Sequence, residues 1–87
     1  MSEPDLPVLV AKAQKGDAAA FETIVRGTAR LVYAQIVASV RDRQKAEDLT
    51  QETFLAAWKA IATVKSLSGF TSWLLVLARK TRAPQIG

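Results

Sequence analysis

Residues 46–58 read AEDLTQETFLAAW, and the helical phase of this stretch decides how the chain folds. At 3.6 residues per turn, Ala46, Leu49, Thr50, Thr53, Phe54, Ala57 and Ile61 fall on one side and form the inward stripe of an amphipathic helix. Leu55 breaks the pattern. Counting 100° per residue puts it about opposite the middle of the stripe, among Asp48, Gln51, Glu52 and Lys59, with Trp58 at the edge of the same surface. A single exposed leucine is ordinary. One set among Gln51, Glu52 and Trp58 has the composition of a docking surface, an apolar anchor inside a polar rim.

Outward from this helix the pattern stays helical. PVLVAKAQKGD, residues 7–17, reads as a short helix with prolines at or before its first turn and Gly16 closing it. Asp17 then caps a second helix from Ala18 to about Val40. Its apolar positions Phe21, Ile24, Val25, Leu31, Val32, Ile36 and Val40 keep helical spacing, and Gly27 weakens its middle. Asp42 caps the third helix, which runs to about Thr63. KSLSG, residues 65–69, is a short loop, with Ser68 or Thr71 available to cap a fourth helix that Pro84 ends. β-branched residues never alternate with polar ones, so no strand competes. The expected fold is all-α, a compact bundle of about four helices forming one domain over residues 1–87.

Composition narrows the chemistry. A domain of 87 residues buries roughly 60–65% of its unfolded surface, so its core is lean. The chain has no cysteine and no histidine, which removes disulfides, thiolate zinc sites and imidazole acid–base catalysis. No apolar run approaches the roughly 18–20 residues of a membrane span, and MSEPDLPVLV is acidic where a secretion signal would be basic; a soluble cytoplasmic protein with no membrane insertion is expected. The net charge of +4 is unevenly spread, because acids and bases cancel up to Val64 and only Lys65, Arg79, Lys80 and Arg82 follow. Either that end of the molecule meets something anionic, or the last three cations complement a helix C-terminus.

Asp48 and Glu52 stand one helical turn apart, a spacing that can share a proton or hold a metal. With no third ligand in reach by sequence, a solvated helix face is the better reading and neither a catalytic nor a metal site is expected. In FTSWLLVLARK, residues 70–80, Phe70, Trp73, Leu74, Leu77 and Ala78 form the core stripe and leave Leu75 and Val76 directed elsewhere. A helix apolar nearly all round is central to a bundle or covered by a second molecule. Its basic end, with Trp73 behind it and a serine-bearing loop in front, can join phosphate contacts to a surface for an unstacked base. Core packing is the competing role for most of the Trp73 ring.

GDAAAFETIV (residues 16–25), AEDLTQETFLAAWKAI (46–61) and GFTSWLLVLAR (69–79) resemble region 2 of bacterial sigma factors, specifically the small extracytoplasmic-function group. The match runs from about residue 8 to 82, and DLTQETF followed by F-x-x-W-L-x-x-x-A-R is its most specific part. The resemblance implies a non-enzymatic transcription initiation domain without a cofactor. Such a domain docks on the clamp helices of the largest RNA polymerase subunit and recognises and melts the promoter element near position minus ten. By motif position, polymerase docking falls to Asp48, Gln51, Glu52, Leu55 and Trp58, the same face that helical geometry singles out. Contact with the non-template single strand of promoter DNA falls to the loop, with Lys65, Ser66, Leu67, Ser68 and Gly69, and to Trp73, Arg79, Lys80 and Arg82 on the fourth helix.

The chain departs from the family at three positions. Leu75 and Val76 stand where Tyr-Arg is usual, and Lys80 where Asn is usual. This weakens the implied promoter contact and makes an inhibitory anti-sigma factor a further candidate partner for that surface. The expected unit is a region 2 domain without the minus thirty-five-reading region 4 domain. Two other readings remain: a sigma-like helical protein-interaction module with no DNA recognition of its own, and, remotely, an enzyme using Asp48 and Glu52.

Overall fold

The computed structural model describes residues 5–81. They form α1 (Leu6–Gln14), α2 (Ala18–Val40), α3 (Arg43–Ala60) and α4 (Phe70–Thr81), with 3-10 turns at Ile61–Thr63 and Leu67–Gly69 and no strand among the described residues. The punctuation is local and mostly as expected. Gly16 closes α1 at φ 96°, a left-handed conformation that suits a residue without a Cβ. The Asp17 carboxylate accepts from the Ala20 N–H at 3.0 Å, and the Asp42 carboxylate accepts from the Lys45 N–H at 3.1 Å, so each aspartate caps the helix it precedes. Arg41 turns α2 into α3 at φ 62°, a role more often taken by glycine. Because Arg41 and Asp42 alone separate α2 from α3, the two helices are forced into antiparallel contact.

All four helices contribute to one core. Val10 and Ala13 of α1, Ile24, Val32 and Ile36 of α2, Ala46 and Ala57 of α3, and Phe70, Leu74 and Ala78 of α4 are each at most 2% exposed. Two threonines share this interior without an unmet donor: Thr53 donates its hydroxyl proton to the Leu49 carbonyl at 2.8 Å, and Thr28 donates to that of Ile24 at 2.7 Å. Side-chain amides fasten the helices across long sequence separations. Both hydrogens of the Gln14 amide are used, on the carbonyls of Ile61 and Val64 at 2.9 Å each, which ties the exit of α3 to the end of α1. Gln35 of α2 donates to the Leu75 carbonyl of α4 at 3.0 Å.

Several expectations are corrected. Leu31 is 46% exposed, because the buried stripe of α2 runs Ala20, Ile24, Thr28, Val32, Ile36 and leaves Leu31 beside it. Phe21 and Val25 are half-buried for the same reason. Neither Ser68 nor Thr71 caps α4: Ser68 lies in the 3-10 turn with its hydroxyl 3.3 Å from that of Ser66, and Thr71 is already inside the helix. α2 runs as one helix through Gly27, with the bounds expected of it. Leu75 packs partly against the core, so only Val76, 44% exposed, points away as expected. Arg82 and Pro84 lie outside the described residues. No described helix is long and apolar enough to cross a membrane.

Replacing Gln14 by leucine keeps the volume but strands two carbonyls. Gln14→Leu is expected to cost about 1–2 kcal/mol, a drop of roughly 4–16 °C in the thermal midpoint measured by circular dichroism. An unchanged midpoint would show that solvent serves those carbonyls equally well.

Candidate functional site

The outward face of α3 is built by its inward one. With Ala46, Thr53 and Ala57 fully buried, the opposite side carries Asp48, Gln51, Glu52, Leu55 and Lys59 into solvent. Leu55 is 63% exposed and Trp58 is 38% exposed. All five residues expected at the docking face are therefore presented, and on one helix their relative placement is rigid.

α3 does not make this surface alone. Ala18, Phe21, Val25 and Ala29 of α2 form the far wall of a groove whose near wall is Thr50, Gln51, Phe54, Leu55 and Trp58 of α3. Its volume is about 590 Å³, and its lining is almost wholly apolar. The Trp58 ring rests on Phe21, with centroids 4.9 Å apart and planes tilted by 51°, so the indole is held in place at the groove end. Ala18, Phe21, Val25 and Ala29 recur at intervals of three and four residues. That stripe is visible in the sequence, yet nothing there separates a groove wall from core packing.

The residues expected to meet nucleic acid divide into two groups. Lys65, Ser66 and Ser68 are exposed in the loop at the start of α4, while Arg79 and Lys80 are exposed near its end. At 1.5 Å per residue from Phe70, the arginine and lysine positions lie about 14–15 Å along the axis from the loop. Trp73 sits between these groups, one turn into α4. It is half-buried and leans on Phe70 at a centroid distance of 5.6 Å, so core packing and a partly open face coexist in one ring. Among the described residues no cluster of three or more His, Cys, Asp or Glu side chains is arranged to hold a metal, and Asp48 and Glu52 are exposed without a third ligand.

The family model for Sigma-70 region 2 matches residues 24–82. The chain is 36% identical over 73 residues to the RNA polymerase sigma-H factor of Pseudomonas aeruginosa, a match covering 84% of this chain and 38% of that protein. It is 40% identical over 78 residues to the ECF RNA polymerase sigma factor SigC of Mycobacterium tuberculosis, covering 90% of this chain and 42% of the relative. With the ECF RNA polymerase sigma factor BldN of Streptomyces coelicolor it shares 40% identity over 72 residues, 82% of this chain and 27% of the relative. The chain thus spans less than half the length of these relatives. No solved structure matches.

The packing of Trp58 on Phe21 has an optical consequence. In a Trp73→Phe background, which leaves Trp58 as the remaining tryptophan, Phe21→Ala should shift the emission of Trp58 to longer wavelength and raise its quenching by acrylamide. Unchanged emission would mean that Phe21 does not support the indole.

Proposed function

The chain belongs to the Sigma-70 region 2 family, among the extracytoplasmic-function sigma factors, and from that premise we propose that it docks on the RNA polymerase core through α3 and presents its loop and α4 to promoter DNA. The exposed Leu55 beside an apolar groove carries this reading. On a face otherwise polar, Leu55 and Trp58 are anchors of the kind that dominate interface energies, and Asp48, Gln51 and Glu52 form the polar rim that fixes register. The partner surface is the clamp helices of the largest polymerase subunit.

Promoter recognition follows as a binding process. Lys65, Arg79 and Lys80, with Arg82 beyond the described residues, hold phosphates of the non-template strand near the minus ten element. The loop backbone and the hydroxyls of Ser66 and Ser68 meet a base edge, and the open face of Trp73 offers a stacking surface. The domain opens DNA by binding the opened strand better than the duplex, which shifts the population without a catalytic group. A second reading, a sigma-like module that binds only protein, draws on Val76, exposed on α4 where an inhibitory anti-sigma factor would sit.

Leu55→Asp should weaken binding to a purified clamp-helix fragment by on the order of 2 kcal/mol, about 30-fold, while helicity and thermal midpoint stay within error. Loss of helicity would instead place Leu55 in the fold. For the nucleic-acid surface, Arg79→Ala combined with Lys80→Ala should lower affinity for single-stranded DNA and flatten its dependence on salt by roughly 0.7 for each phosphate no longer neutralised. A slope equal to that of the unaltered protein would take both residues out of the DNA site and favour the protein-only reading.

A further inference from the structure

Along the sequence, Lys12 and Lys15 are offset by acids elsewhere in the first forty residues, and nothing connects them with Lys65. The fold does connect them. Gln14 donates to the carbonyl of Val64, so the residues that follow each partner, Lys15 and Lys65, flank a hydrogen bond that joins positions 50 apart. One turn earlier in α1, Lys12 lines a cleft of about 290 Å³ with Pro7, Val8, Ala11, Lys15 and Leu67, the last belonging to the loop itself. Val8 and Lys12 share one face of α1 by their spacing of four, Lys15 follows at the C-cap, and Val8 is 50% exposed there.

The electrostatics point one way. Lys12 and Lys15 are exposed at the cleft edge and Lys65 is exposed in the loop, and no acidic residue occurs between Asp5 and Asp17. The one ion pair among the described residues, Arg26–Glu22 at 3.7 Å, lies on α2, so none of the three ammonium groups has a carboxylate partner among them. The Asp17 carboxylate nearest Lys15 in sequence already accepts from the Ala20 N–H. The result is an apolar floor of Pro7, Val8, Ala11 and Leu67 edged by two ammonium groups, with a third across the Gln14 bond. This suits a flexible polyanion that has apolar faces of its own, and an unstacked nucleic acid strand is such a polymer.

We propose that Lys12 of α1 and Lys15 at its C-cap bind phosphates of the same single-stranded DNA segment that the loop receives, so that the nucleic-acid surface extends from Lys65 onto α1. The proposal rests on the reading of the loop as a DNA contact. It gives the strand a continuous cationic path at the loop end of α4, separate from Arg79 and Lys80 at the other end.

The test is fluorescence anisotropy with a labelled single-stranded DNA oligonucleotide across a salt series, using the whole chain. Lys12→Gln with Lys15→Gln should lower the slope of log affinity against log salt by roughly 1.4, two phosphates at about 0.7 each, and weaken binding about 25-fold at 0.1 M if affinity at 1 M is unchanged. The corresponding Lys→Arg pair should restore the slope. Arg43→Gln with Lys45→Gln, about 22–25 Å along α3 from the end that leads into the loop, should leave it intact. If Lys65→Gln weakens binding while the Lys12 and Lys15 pair does not, the inference is overturned and the loop reading stands. If the unaltered protein shows no salt-dependent DNA binding, the loop reading fails and the inference fails with it.

Discussion

Three small side chains, Ala46, Thr53 and Ala57, are buried to 0% exposure where α3 lies against the rest of the bundle, and the remaining architecture follows from that close approach. No longer residue fits such a seam without overpacking. The seam also fixes the rotation of α3. Turning the helix by one residue, 100°, would carry Asp48 or Gln51 toward the interior, where an unpaired charge or amide costs several kcal/mol. Leu55 is therefore outside because Ala46, Thr53 and Ala57 must be inside. An exposed apolar position obtained this way needs no strained backbone and no extra element, only a helix whose inward face is fixed by packing.

The Gln14 amide extends this control to the other end of the molecule. By engaging the Ile61 and Val64 carbonyls together, it sets the direction in which the chain leaves α3 and so fixes where the loop from Lys65 to Gly69 meets α1. Gln35 does the same for α4 through the Leu75 carbonyl. The outward face of α3 and the loop that carries Lys65 at the start of α4 are thereby held in one rigid relation. On the proposed function, this relation would set the distance between the bound DNA and the polymerase.

Much of this is legible in the sequence because the governing signals are local. Asp17, Asp42 and Gly16 announce helix ends through the backbone groups beside them, and the phase of α3 can be read from spacing alone. What escapes depends on neighbours. A single helix shows Phe21 and Val25 as apolar positions, but only the packing of α2 against α3 turns them into the wall of a groove, with Trp58 resting on Phe21. Leu31 reads as core because it belongs to an apolar row next to the buried one, a difference of one step around the helix. Ser68 resembles a cap but sits in a 3-10 turn whose hydroxyl partner is Ser66. The meeting of Lys12 and Lys15 with the loop hangs on a hydrogen bond between positions 14 and 64, which no local pattern contains.

The polymerase-docking face, on this account, is α3 together with the groove beside it. Mapping backbone amide shifts of the domain while titrating a clamp-helix fragment of the largest polymerase subunit tests that claim most directly. Perturbations should concentrate on Asp48, Gln51, Glu52, Leu55 and Trp58 and extend to Phe21 and Val25 across the groove, with Lys65, Ser66 and Arg79 left in place. Shifts centred on Val76 and Arg79, or none at all in a folded sample, would contradict it.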